Sequence, residues 1–193
     1  MVNNFEQIKE LLKFDNDDTF YFIQILKRKK EHPELGNTSY VVKTYYIKSV
    51  DDLEFFKPEM ICLAEFHNAR VCINLNRRSF KQMAFQTLRK ITDIIMNEDY
   101  KSVKAAYNSV CGVHSSETDK MWILDIDDFE STEDLLFTLR HIEPVGSKFI
   151  AEIPTKNGVH IITKPFNVET FRTFPEYRKI DLHKNNPTIL YIP

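Results

Sequence analysis

Asp125 and Asp127 stand two residues apart at the end of the apolar run Met121-Trp122-Ile123-Leu124, with Asp128 close behind. Successive side chains of a strand alternate faces, so both carboxylates project to one side and Ile126 to the other. A strand entering a core is a poor place for two unpaired negative charges. Two carboxylates on one face at a strand end do suit Mg²⁺ or Mn²⁺, which take oxygen ligands. The same residues would also make a strand, an acidic turn and a helix N-cap, since Asp is common in turns. A second stretch is Thr155-Lys156-Asn157-Gly158-Val159-His160, in which His160 lies in an apolar strand two residues past a glycine that permits a tight turn. A lone strand histidine such as His160 is more often a structural hydrogen-bonding residue. A third is Ile180-Asp181-Leu182-His183, where Asp181 alone would be a strand-end or capping residue.

The elements that must position these residues read as β-α-β-β-α-β. A strand at Trp122 is followed by a helix capped by Ser131, with Leu135, Leu136 and Leu139 inward. Residues 148–153 and 159–163 form a hairpin joined by residues 154–158. Asn167 opens a short helix, and residues 179–182 and 188–192 are closing strands. This is the ferredoxin-like pattern. In such a sheet the strands carrying Asp125, His160 and Asp181 can lie side by side, which gathers three carboxylates and an imidazole over one face.

The first half reads as a helix over residues 3–14, strands at 19–26 and 40–47, and a helix capped by Ser49 and interrupted at Pro58. A half-buried strand at 70–76 and a helix from Ser79 to about Met96 follow, the latter with Phe80, Met83, Ala84, Thr87, Leu88 and Ile91 inward. A last helix covers about 98–110, and the polar stretch 112–120 reads as a boundary. The expected fold is α+β, with an N-terminal αβ lobe (1–115) packed on a C-terminal ferredoxin/RRM-like lobe (116–193), together one domain.

Formal net charge is −2, so any site for a polyanion must be a local patch. Arg77 and Arg78, between a strand and a helix N-terminus, could bind phosphate. Residues 27–30 (Lys-Arg-Lys-Lys) could run along a nucleic-acid backbone, and for both clusters a solvated charged surface is the alternative. Cys62, Cys72 and Cys111 are scattered and odd in number, which argues for a reducing compartment and against a disulfide framework or zinc ribbon. No apolar leader or bilayer-length run is present, so a cytoplasmic protein without a membrane partner is expected. None of the four glycines sits in a Gly-rich phosphate loop.

The order of the three stretches resembles that of the archaeo-eukaryotic primase superfamily, including the primase-polymerase domains of phages and plasmids. Leu124-Asp125-Ile126-Asp127 is similar to its hydrophobic Asp-x-Asp motif. Residues 155–160 resemble its Gly-x-His motif, with Asn157 where the family often has Ser or a second Gly. Ile180-Asp181 resembles its hydrophobic-Asp motif. The resemblance covers roughly residues 122–192 and implies a nucleotidyltransferase acting in DNA replication. Asp125, Asp127 and Asp181 would be catalytic and hold two Mg²⁺ or Mn²⁺ ions. Thr155, Lys156, Gly158 and His160 would bind the nucleotide, and Arg77 and Arg78 the nucleic acid. The implied partners are nucleoside triphosphates, a single-stranded DNA template and a separate replicative helicase.

Two other classes use the same residues. A metal-dependent nuclease or phosphoesterase would direct the carboxylates and His160 at water. A non-catalytic nucleic-acid-binding adaptor would use the sheet face itself, where two aspartates would be out of place.

Overall fold

Two antiparallel sheets and six α-helices organise residues 1–36, 39–127 and 132–193, which this computed structural model describes. Asp128 and the expected helix cap Ser131 lie outside the described residues.

The first sheet runs β1 (Val2–Asn3), β9 (Thr188–Ile192), β4 (Arg70–Ser79), β2 (Thr19–Lys27), β3 (Tyr40–Ile47). β2 is aromatic and β-branched over Thr19–Ile23 and again at Ile25, and both of its faces are covered there. Tyr21, Ile23 and Ile25 enter the main core with Leu53, Met60 and Ala64 of α2 (Val50–His67), while Phe20 and Phe22 pack beneath Met83, Val110 and Cys111. Ser49 caps α2, its hydroxyl accepting from the Asp52 N–H at 3.0 Å. The helix continues through Pro58, where an interruption was expected, because buried Leu53 on one side and Met60 and Ala64 on the other hold it to the sheet.

Two other helices differ from their periodicity. α1 is only Phe5–Lys9. α3 (Phe80–Met96) is capped by Ser79 as expected and buries Met83 and Ile94, but Ala84 and Leu88 face solvent. The helix carries two apolar stripes, and a local period cannot say which one meets the core. The expected helix at 98–110 is a 3₁₀ segment (Tyr100–Ala105) leading into α4 (Ala106–Val113), so Gly112 is helical. The following stretch is tied down: the Ser116 hydroxyl accepts from the Ser79 N–H at 2.8 Å and Glu117 pairs with Arg77 at 2.7 Å.

The second sheet runs β6 (Phe149–Pro154), β7 (Val159–Thr163), β5 (Trp122–Ile126), β8 (Asp181–His183). Alternation divides its residues. Leu124, Ile126 and Ile161 pack against α5 (Thr132–His141) and α6 (Val168–Thr173), through Leu135, Leu139 and Phe171. Ile123, Ile153 and Ile162 face the other way and join Ile23, Val71 and Leu190 of the first sheet in one core. Thr188–Ile192 does not extend the second sheet but inserts between β1 and β4 of the first. Buried asparagines stitch the halves together. Asn76 donates to the Met121 carbonyl at 2.9 Å and accepts from the Met121 N–H at 2.7 Å, fixing the entry to β5. Asn74 donates to the Asn185 carbonyl, and Asn4 to those of Pro154 and Ile189.

Candidate active site

Asp125 shares a face with Ile123, so its carboxylate points into the space between the sheets. Register then brings its partners. Asp125 lies opposite His160 on β7 and opposite Asp181 on β8, a row of three across adjacent antiparallel strands. Asp127, one residue past the strand end, adds a further carboxylate to the same cavity. The cavity is about 640 Å³, within the size range of small-molecule sites. Its second-sheet side also includes Thr155, Lys156 and His183, and its first-sheet side Arg28, Lys30, Glu31 and Arg70.

The centre is an acid–imidazole pair. His160 is buried, with Nε2 3.4 Å from Asp125 Oδ1 and Nδ1 2.8 Å from the Thr188 hydroxyl. The hydrogen bond from His160 holds the Asp125 carboxyl below its ordinary value against the opposing effect of burial, with smaller contributions from the His160 charge, His183 and Arg28. Asp127 and Asp181 are exposed to the cavity side. On the far wall Glu31 and Arg70 form an ion pair, while Arg28 and Lys30 are exposed.

The turn joining β6 and β7 has a structural reason of its own. The Thr155 N–H donates to the Gly158 carbonyl at 2.9 Å, and the Gly158 N–H donates to the Thr155 hydroxyl at 3.1 Å. Gly158 does not need a left-handed backbone. It is glycine because the turn lies directly against the end of β5.

Of the residues singled out in the sequence, Asp125, Asp127, Asp181, Thr155, Lys156 and His160 share this cavity, and Gly158 supports it from behind. Arg77 and Arg78 do not line it. Arg78 is completely buried, donates to the carbonyls of Cys111 (2.9 Å) and Asn76, and stacks over Phe22, so it has no face to offer a phosphate. Arg77 is held by Glu117 and Asp15. Their spacing before a helix suggested phosphate binding, but strand register turns one inward and ion pairs occupy the other.

Sequence reading left Arg70, Glu31, Thr188 and His183 without roles. His183 had a usable signal, since it stands two residues after Asp181 on the same face. Its Nδ1 accepts from the Asn186 amide at 2.9 Å. Cys72 also lines the cavity, but burial pushes its thiol up to about 12, so it is not a nucleophile at neutral pH.

The donor set fits Mg²⁺ or Mn²⁺ in kind. Three carboxylates supply hard oxygen ligands, and opposed basic residues suit an anionic ligand carrying the ion. Among the described residues, no three His, Cys, Asp or Glu side chains are already gathered at ligating distance. An ion would therefore draw in the exposed Asp127 and Asp181 beside Asp125. Also among these residues, no helix is long and apolar enough to cross a membrane. Comparison with protein-family models, curated proteins and solved structures finds no match for this chain.

Proposed function

We propose that this chain is a primase-polymerase-like nucleotidyltransferase of the cytoplasm, adding nucleotides to a primer or initiating nucleotide on a single-stranded DNA template. One observation carries the reading: Asp125 is the register partner of both His160 and Asp181, and this row faces a cavity whose opposite wall holds the exposed Arg28 and Lys30 beside the Arg70–Glu31 ion pair. Carboxylates on one wall and cations on the other match the two needs of a nucleoside triphosphate, divalent metal and phosphate oxygens. The strand order β6-β7-β5-β8 and the element order β5-α5-β6-β7-α6-β8 support a ferredoxin/RRM-like lobe (116–193) working as one unit with the lobe at 1–115.

In this reading Asp125, Asp127 and Asp181 hold the Mg²⁺ or Mn²⁺ ions. Divalent ions held by these carboxylates would supply Lewis acidity to the attacking 3′-hydroxyl and charge neutralisation to the leaving pyrophosphate. The hydroxyl oxygen would bond to the α-phosphorus as the α–β phosphoanhydride bond breaks, with the hydroxyl proton passing to solvent and the bonding pair leaving on pyrophosphate. His160 presents Nε2–H toward Asp125 and the phosphates, while Lys156, Arg28 and Lys30 screen the triphosphate from the cavity rim. Thr155 and Gly158 hold the turn that carries Lys156. Lys27 and Lys29, the members of the basic cluster that do not line the cavity, rather than Arg77 and Arg78, would meet the nucleic-acid backbone, and a separate helicase would supply the open strand.

The test is nucleotide incorporation on a single-stranded template with Mn²⁺ or Mg²⁺, comparing wild type with Asp125→Ala/Asp127→Ala. Metal-dependent products lost in the variant support the proposal. Template degradation without incorporation would replace it with a nuclease. Absence of both, with nucleic-acid binding intact in the variant, would make the chain a binding module.

A further inference from the structure

Thr188 belongs to β9 of the first sheet, yet its hydroxyl lies 2.8 Å from His160 Nδ1 on β7 of the second. The threonine is completely buried and the imidazole nearly so, at 0% and 8% exposure. A neutral imidazole has one N–H donor and one lone-pair acceptor. The ionised Asp125 carboxylate can only accept, which assigns the ring proton to Nε2. The Nδ1 lone pair then faces the Thr188 hydroxyl, which must donate. Left without that donor, the buried nitrogen would have lost its water and gained nothing in return.

We infer that Thr188 is a positioning residue of the candidate site, holding the His160 ring from behind so that Nε2–H meets Asp125 and the cavity. The site is therefore completed by the first sheet, not by the β5–β7–β8 row alone. A threonine here serves two ends. Its β-branched side chain suits the strand, and its hydroxyl can donate to neutral His160 or accept from the protonated ring. The bond itself rests on no functional reading, whereas its consequence for nucleotide addition rests on the nucleotidyltransferase proposal.

The experiment compares wild type, Thr188→Val and Thr188→Ser by ¹⁵N resonances of the His160 ring at a pH where the ring is neutral. In wild type and the Ser variant, Nε2 should be protonated and Nδ1 shifted by an accepted hydrogen bond. In the Val variant, Nδ1 should move to the position of an unbonded lone pair. An unchanged Nδ1 in the Val variant overturns the inference. Thr188→Ala, which also lacks the hydroxyl, takes its place if the Val variant does not fold. On activity, losing one such bond should lower the turnover of nucleotide addition by roughly tenfold, with Ser restoring it. A changed ring spectrum with unchanged turnover overturns the positioning role. If wild type itself adds no nucleotide, the nucleotidyltransferase reading fails, and the ring spectra still decide whether Thr188 holds His160.

Discussion

Gly158 and Ile126 meet backbone to backbone: a β-carbon on Gly158 would lie 1.9 Å from the Ile126 carbonyl oxygen and 2.8 Å from the Asp127 Cα. The β6–β7 turn thus presses on the strand end that aims Asp127 into the cavity. Gly158→Ala should cost about 1–3 kcal/mol through overpacking and displace Asp127. Gly112→Ala is the control, because nothing lies within 4 Å of a β-carbon there and the residue is helical. It should stabilise by up to about 1 kcal/mol. Chemical denaturation of both variants checks the pair, and equal midpoints would mean that the turn yields without cost.

Arg78 and Arg28 should separate cleanly. Arg78→Ala removes buried hydrogen bonds to the carbonyls of Cys111 and Asn76 and leaves a cavity beside Phe22. A loss of about 3 kcal/mol or more in unfolding free energy is expected. Arg28→Ala, at an exposed position on the cavity rim, should change stability by less than about 0.5 kcal/mol while weakening triphosphate binding. Denaturation and a nucleotide-binding titration on both variants measure the contrast. Weaker binding in neither would remove Arg28 from the site.

The Asp125 carboxyl should titrate below an ordinary aspartate, because the hydrogen bond from His160 favours its charged form against the effect of burial. A lowered folded value means the carboxylate stabilises the protein above its unfolded pKa, and that this contribution is lost as pH falls through the folded value. Replacing His160 by Phe removes the largest lowering influence and leaves burial opposed only by the weaker effects of His183 and Arg28, so the carboxyl should rise and the stability that Asp125 adds at neutral pH should shrink. Carboxyl ¹³C titration of wild type and His160→Phe is the measurement. An unmoved Asp125 would mean that the imidazole does not set its charge.

The three thiols should react at different rates. Cys62 is exposed, whereas burial raises Cys72 to about 12 and Cys111 to about 11. At pH 8 a thiol reagent should modify Cys62 quickly and the other two only after unfolding. Mass spectrometry of labelled peptides, native against denatured, reads this directly. Rapid native labelling of Cys72 would mean that the cavity wall opens.

Local pattern was enough to find β5, β7 and β8, because period-2 alternation and turn residues are local signals, whereas laying Asp125, His160 and Asp181 side by side needed the β-α-β-β-α-β order and is fixed only by register. It also found the Ser49 and Ser79 caps. It did not find where residues 188–192 go. Thr188 pairs with Ile73 and Tyr191 with Val71, and no residue type in a strand names a neighbour more than a hundred positions away. For the same reason Arg78 looked available and Thr188 looked incidental. A side chain's burial depends on what is laid over it, and the covering elements here come from distant parts of the chain. Leu88 is the converse case, an apolar helical residue that nothing covers.

The insertion of β9 between β1 and β4 sets a timetable for synthesis. By the time residue 127 leaves the ribosome, four of the five strands of the first sheet and the strand bearing Asp125 have been made. β1 still lacks its neighbour, and His160 and Thr188 have not been made. The sheet must wait with the edge of β4 open until residues 188–192 emerge, since an unpaired edge is a template for wrong partners. Contacts such as Asn4 with Ile189 close over nearly the whole chain, a topology that folds slowly for the loop entropy it must overcome. The contact between His160 and Thr188 at the candidate site therefore forms only with the strand that fills the gap between β1 and β4.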